Sequence, residues 1–188
     1  DYGFDPFAAS PFFRDALYNV LYATTPAPTQ RSGAAQAWFQ LFPSSDDEIF
    51  EGGGTLAQRS YFGDFMRFYS QRSATAPFTG FARDWQARTS APVSWLFRAL
   101  PAPAPATPID SLPLDYFAPG SGVFDVRSTH GPQGSQAHLQ LGWPGGVGHL
   151  HDDIGSFQLW RKGRWISRET TGYSQTIQGW GSHGLVDV

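Results

Sequence analysis

Between Gly146 and Tyr173 the chain sets two histidines, His149 and His151, two residues apart, and continues the same spacing through Asp153, Gly155 and Phe157. Alternate side chains of a β-strand share one face. The spacing therefore predicts a strand on which two imidazoles stand side by side, close enough to hold a metal ion or to work on a substrate. Lys162-Gly163 predicts the turn of a hairpin joining Ser156–Arg161 to Trp165–Glu169, with Glu169 at the end of the second strand. Two histidines and a carboxylate would then be set by local structure alone. The same residues also read as two strand histidines in ordinary hydrogen bonds and a surface Glu169 paired with Arg161 or Arg168. A structural metal site takes about four ligands. His183, Asp152 and Asp153 are the further donors in reach along the chain, whereas His130 and His138 read as peripheral.

The elements that must position this stretch fall into two kinds. Before it, apolar spacing is helical. Ser10-Pro11 forms an N-cap and first-turn pair, followed by Phe12, Phe13, Leu17, Val20 and Leu21. Thr24 to Ser32 breaks the pattern with Pro26 and Pro28, and Ala34 to Phe42 reads as a short helix or turn carrying Trp38 and Phe39. Ser45-Asp46-Asp47-Glu48 has the carboxylates that favour a helix start. Gly52-Gly53-Gly54 reads as a loop, without the Lys-Ser/Thr of a phosphate loop. Thr55 to Arg72 predicts the longest helix, with Leu56, Tyr61, Phe65, Phe68 and Tyr69 inward, and Trp85 and Val93–Leu100 predict shorter ones.

The alternating Pro and Ala of Pro101–Pro108 form a semi-rigid spacer, after which the apolar period becomes two. Gly122–Arg127 is one strand. Ala137, Leu139, Leu141 and Trp143 alternate with His138, Gln140 and Gly142, predicting a half-buried strand with its apolar side inward. Tyr173 to Trp180 predicts another. Helices followed by strands indicate an α+β chain: residues 1–100 helical, 101–110 a linker and 111–188 an antiparallel β unit.

Composition narrows the function. Hydrophobic residues make up 40% of the 188, enough for a folded core, and no apolar run approaches a membrane span. Net charge is −3 with scattered basic residues, which argues against a nucleic-acid footprint. Cysteine is absent, which excludes thiol chemistry and disulfides. Aromatic residues reach 16%, material for cores and for sugar-stacking faces alike. The first residues, Asp1-Tyr2, carry no Met, and the reading is of an interior segment of a longer polypeptide.

The run G-H-x-H-x-D-x-G-S-F at Gly148–Phe157, followed by a strand, Lys162-Gly163, a second strand and Glu169 before Thr170-Thr171-Gly172-Tyr173, resembles the signature of the heparinase II/III family of polysaccharide lyases. Upstream, Asp115 to Arg127 (DYFAPGSGVFDVR) resembles the segment in which that family's β-sandwich begins. The resemblance is specific over Tyr116–Tyr173 and architectural over residues 1–100. It implies a multidomain α+β fold, with the end of an (α/α) toroid followed by part of an antiparallel β-sandwich and substrate in the cleft between them.

The resemblance further implies cleavage of a uronic-acid-containing polysaccharide by β-elimination, with a Tyr/His pair as base and acid, and a periplasmic or extracellular location. His149 takes the catalytic histidine's place. Tyr2 resembles the toroid tyrosine, and Tyr173 matches a substrate contact. His151 and Glu169 take the places of structural zinc ligands, with His183 standing in for the third. The pattern departs from the family where Glu169 replaces an Asp seen in some members and where the Asn/His pair of an earlier toroid helix has no counterpart. A second chain or segment of the same precursor is expected to complete toroid and sandwich. Alternatives are a non-catalytic carbohydrate-binding or structural module of the same fold, an epimerase, or a glycoside hydrolase. The last would need paired carboxylates, for which Asp46, Asp47, Glu48 and Glu51 form the densest acidic group.

Overall fold

The computed structural model describes residues 6–30, 36–42, 60–71, 78–99, 105–142 and 154–168 of the chain. It is a mixed helix-and-sheet protein. A single turn, α1 (Pro6–Ala9), precedes α2 (Pro11–Ala23). Ser10 starts α2 as expected: its backbone is extended and its Oγ accepts from Phe12 N at 3.2 Å, with Pro11 in the first turn. Leu17 and Leu21, one turn apart, and Tyr22 are its buried residues. The helix ends at Thr24, a β-branched residue in extended conformation whose Oγ1 donates to Val20 O at 2.7 Å.

The chain then departs from expectation. Residues 36–42 are neither helix nor turn. β1 (Thr29–Gln30) pairs antiparallel with β2 (Ala37–Trp38), and Thr24 bridges Leu41. Threonines and aromatics favour a pleated surface over a helix, and here they pack against the larger sheet. Trp160 Nε1 donates to Thr29 Oγ1 at 2.7 Å and Trp165 Nε1 donates to Gln40 Oε1 at 2.6 Å.

α3 (Tyr61–Ser70) packs against α4 (Thr79–Thr89), which packs on α2, and the single turn α5 (Trp95–Arg98) follows against α3. Among the described residues α2 is the longest helix. The inward face of α3 is rotated from the one expected: Met66 and Tyr69 are buried, while Tyr61 and Phe68 are largely exposed. The helical core gathers Leu17, Leu21, Met66, Tyr69, Ala82 and Trp85. Trp85 satisfies its indole by donating to Thr24 Oγ1 at 2.8 Å, as a buried polar group must.

After the Pro/Ala stretch the chain stays tied to the helices. Thr107 N donates to Gly80 O at 3.0 Å, Ile109 N donates to Asp84 Oδ2 at 2.9 Å, and Ile109 is buried in the helical core. A 3-10 turn (Ile109–Ser111) leads into a five-stranded antiparallel meander, β3 (Asp115–Ala118), β4 (Val123–Arg127), β5 (Ser135–Gln140), β6 (Phe157–Arg161) and β7 (Arg164–Ser167), paired in chain order. The β6–β7 hairpin turns at Lys162-Gly163 as expected. Both residues have positive φ, 48° and 81°, the backbone of a tight hairpin turn whose twist suits the flanking strands.

Register sorts the sheet's side chains onto two faces. Tyr116, Asp125, His138 and Gln158 align across β3–β6 on the face toward the helices. Phe117, Phe124, Leu139 and Phe157 align on the other face, beside Val126, Ala137 and Leu159. This overturns the polarity expected for β5. Its polar residues Gln136 and His138 are buried at 2% and 4% exposure, Ala137 and Leu139 are only half-buried, and Leu141 is 53% exposed. The strand also stops at Gln140, short of the expected Trp143.

Candidate functional site

The inversion of β5 builds the main constellation of polar groups at the helix–sheet junction. β4 contributes Asp125 and Arg127, which share a face because they are two residues apart. β5 contributes Gln136 opposite Arg127 and His138 opposite Asp125. His138 Nδ1 lies 2.9 Å from Asp125 Oδ1, so the ring donates there, and Gln136 Nε2 donates to the same oxygen at 3.1 Å. The ring of Phe42 stacks on His138 with centroids 5.2 Å apart and planes at 22°.

Arg127 reaches from the sheet to the carboxyl end of α2. Its Nη2 donates to Tyr22 O at 2.6 Å and lies 3.5 Å from both Leu21 O and Thr24 O. Its guanidinium also sits 5.1 Å from the centre of the Tyr22 ring. The last carbonyls of a helix have no partner within it and carry the negative end of the dipole, so a cation is favoured there. Gln136 Nε2 donates to Tyr22 O as well. Burial pulls the Arg127 pKa down to about 10, against the opposing pull of Asp125.

His130 completes the group. Its Nε2 lies 3.0 Å from Leu112 O, which requires the proton on that nitrogen, and leaves Nδ1 to accept from Arg127 Nη1 at 3.4 Å. Burial lowers the His130 pKa and the Leu112 carbonyl partly offsets this. The ring is therefore neutral at neutral pH.

This cluster positions and does not react. Asp125 and His138 are 0% and 4% exposed, beneath Phe42. The cavity beside Arg127 and His130, bordered by Thr24, Thr25 and Thr89, measures about 20 Å³. That is room for one water and not for a sugar ring. The histidines read as peripheral in the sequence thus sit at the centre of the junction. The pattern that could have shown this is the pairing of two alternations, Asp125/Arg127 and Gln136/His138, each with polar residues on one side.

The residues predicted from the sequence to do chemistry lie outside the described residues: Tyr2, His149, His151, Glu169, Tyr173 and His183. So do Asp152, Asp153 and the acidic group Asp46, Asp47, Glu48 and Glu51. Their flanks are described. The strand spacing expected to run from His149 to Phe157 does not hold over its last part, because Ile154 and Gly155 form a turn, with Gly155 at φ 84°. β6 then starts at Phe157. Gln140 N donates to Ser156 O at 3.0 Å and Gly155 N donates to Gln140 O at 2.8 Å, which joins the two ends of the 143–153 connection. Ser167, the last residue of β7, pairs with Leu159 and its Oγ donates to Phe157 O at 3.3 Å. The chain therefore enters and leaves residues 143–153, and enters residue 169, at one and the same end of the sheet.

Among the described residues no three His, Cys, Asp or Glu side chains gather into a metal-binding group, and no helix is long and apolar enough to cross a membrane. No protein-family model matches the chain, and no curated protein matches it.

Proposed function

We propose that the chain is part of a polysaccharide lyase of the heparinase II/III type, acting on a uronic-acid-containing polysaccharide by β-elimination. The observation that carries the reading is the Gly148–Phe157 run and Glu169, whose connections leave the same end of the described meander. A second support is the sheet face away from the helices. Its rows of Phe117, Phe124, Leu139 and Phe157 and of Val126, Ala137 and Leu159 form an apolar surface of the kind a second sheet covers in a sandwich. On this reading the helices before the sheet are the end of a toroid, and a further chain or segment of the same precursor would complete both units. The proposed location is periplasmic or extracellular.

In the proposed reaction a base removes the C5 proton, which lies α to the uronate carboxylate. The electron pair forms the C4–C5 double bond, the C4–O4 bond breaks, and the departing oxygen takes a proton. His149 and Tyr2 form the acid–base pair. A tyrosine near pKa 10 needs neighbouring positive charge to act as base, and the developing enolate needs donors. Tyr173 contacts substrate. His151, Glu169 and His183 offer two imidazoles and a carboxylate, a donor set that suits zinc, which would brace the strands near the cleft.

The test is the ultraviolet absorbance of the unsaturated uronate when the full protein is incubated with alginate, heparan sulfate and related uronans. New absorbance that disappears in His149→Ala is the expected result. Absence of unsaturated product on every uronan would sink the lyase reading.

A further inference from the structure

The helical half carries a second feature that the β-elimination chemistry does not use. A cleft of about 410 Å³ opens between α3, α4 and α5. Arg67, Arg83 and Arg98, one from each helix, line it together with Ala87, Ala91 and Val93. A chain with net charge −3 has here gathered three guanidiniums around one opening, with no carboxylate among the described lining residues. The acidic residues on the same helices have partners of their own. Asp64 accepts from Ser94 N at 2.7 Å, and Asp84 accepts from Ile109 N and pairs with Arg88 at 2.7 Å. Arg67 Nε donates to Phe97 O at 3.4 Å, which sets that guanidinium against the wall. The side chains of Arg83 and Arg98 have no hydrogen-bond or ion-pair partner among the described residues.

Arg83 and Arg98, two like charges at one opening without a counter-charge among the described residues, cost free energy that a bound anion relieves. Guanidinium is the group that grips carboxylate or sulfate through two parallel hydrogen bonds. The opening is larger than a bare anion needs and falls in the size range of small-molecule sites, roughly 300–1,000 Å³. Its alanine and valine surfaces suit the carbon face of a ligand. Trp95, one turn before Arg98 on α5, is 78% exposed and offers a flat aromatic surface.

We propose that this cleft binds an anionic sugar unit. Arg83 and Arg98 hold its carboxylate or sulfate, Arg67 supports the charge, and Trp95 stacks on the ring. The choice of a saccharide rests on the lyase reading, whereas the anion site rests on the cleft itself. The site would hold an acidic polysaccharide on the helical half, apart from the sheet end that leads to His149.

The test is calorimetric titration of the full chain with an oligo-glucuronate, a sulfated heparan oligosaccharide, a neutral cello-oligosaccharide and inorganic sulfate. The acidic oligosaccharides bind and weaken with added salt, and the neutral one does not bind. The double variant Arg83→Gln/Arg98→Gln, shown to be folded by circular dichroism, loses about tenfold or more in affinity. Trp95→Ala weakens the oligosaccharides several-fold while leaving sulfate unchanged. Equal binding by wild type and double variant, or no binding of acidic oligosaccharide to wild type, overturns the proposal. Inorganic sulfate binding as tightly as the oligosaccharides overturns the sugar assignment. Arginine-dependent binding without unsaturated product would leave this site standing and remove the lyase reading.

Discussion

The Asp125 carboxylate accepts from His138 Nδ1 at 2.9 Å across β4 and β5, with both groups sealed from solvent. A buried carboxylate left without its donors keeps the full cost of desolvation. Asp125→Ala and His138→Ala are each expected to cost about 2–4 kcal/mol. Their double-mutant cycle should show a coupling of about 1–3 kcal/mol, measured by urea unfolding. Additive single effects would mean that the two residues act independently.

Acidification removes a contribution from His130. Burial first, and the Arg127 and Arg88 guanidiniums after it, hold its folded pKa below the ordinary histidine value, while the hydrogen bond to the Leu112 carbonyl and the charge of Asp110 work the other way. The unfolded chain then binds more protons than the folded one as pH falls below about 6.5. Stability is full above that pH and is lost as pH drops through the depressed folded value. Urea midpoints at about pH 7.5 and 5.5 should separate further in wild type than in His130→Gln. Equal separations would refute the assignment.

Alkali acts on three tyrosines. Burial pushes Tyr22, Tyr69 and Tyr116 up to about 12. Each hydroxyl donates to a backbone carbonyl, of Pro113, Phe13 and Asp15 respectively. For an acid whose folded pKa is raised, stability is complete below the unfolded value of about 10 and is lost as pH rises through the folded one. Spectrophotometric titration should therefore show late-ionising tyrosines whose tyrosinate signal rises together with loss of the far-ultraviolet dichroism. Early, non-cooperative ionisation of all the tyrosines would contradict the buried hydrogen bonds.

The Lys162-Gly163 turn holds a non-glycine residue at φ 48°. Asparagine tolerates that backbone better than lysine, and Asn-Gly is the favoured pair for this turn. Lys162→Asn should raise stability by about 0.5 kcal/mol, read as a shift in thermal midpoint. A lower midpoint would show that the lysine side chain supports the turn in another way.

On the proposed lyase reading, His149 and the proposed zinc donors His151 and Glu169 should separate by readout. His149→Ala should lower elimination about 10²–10⁴-fold with little change in thermal midpoint. His151→Ala and Glu169→Ala should lower the midpoint and the bound zinc together. If all three variants lose activity and stability in parallel, the division between acid–base and structural roles is wrong.

Local signals were legible where one or two residues settle the backbone. Ser10-Pro11 marked the start of α2 because a hydroxyl and a fixed φ act within one turn. Lys162-Gly163 marked the hairpin because its backbone needs positive φ. The strand at Val123–Arg127 followed from alternation. The helical spacing around Phe65 and Tyr69 located α3, but not its orientation, since Met66 turned inward and Tyr61 and Phe68 turned out. Residues 36–42 misled because aromatic residues suit a helix face and a strand alike, and their partners at Thr24 and Thr29 lie across the chain.

The sequence by itself determined that the main helices precede the larger sheet, the hairpin and the His149-x-His151 run. Only the tertiary structure decided which face of β5 is buried. Alternation specifies two faces without naming the inner one, and the apolar side of β5 looked like the obvious choice. The carboxyl end of α2 reversed it. Its open carbonyls at Leu21, Tyr22 and Thr24 need donors, Arg127 and Gln136 supply them, and Asp125 with His138 follow on the same side because a strand repeats every second residue.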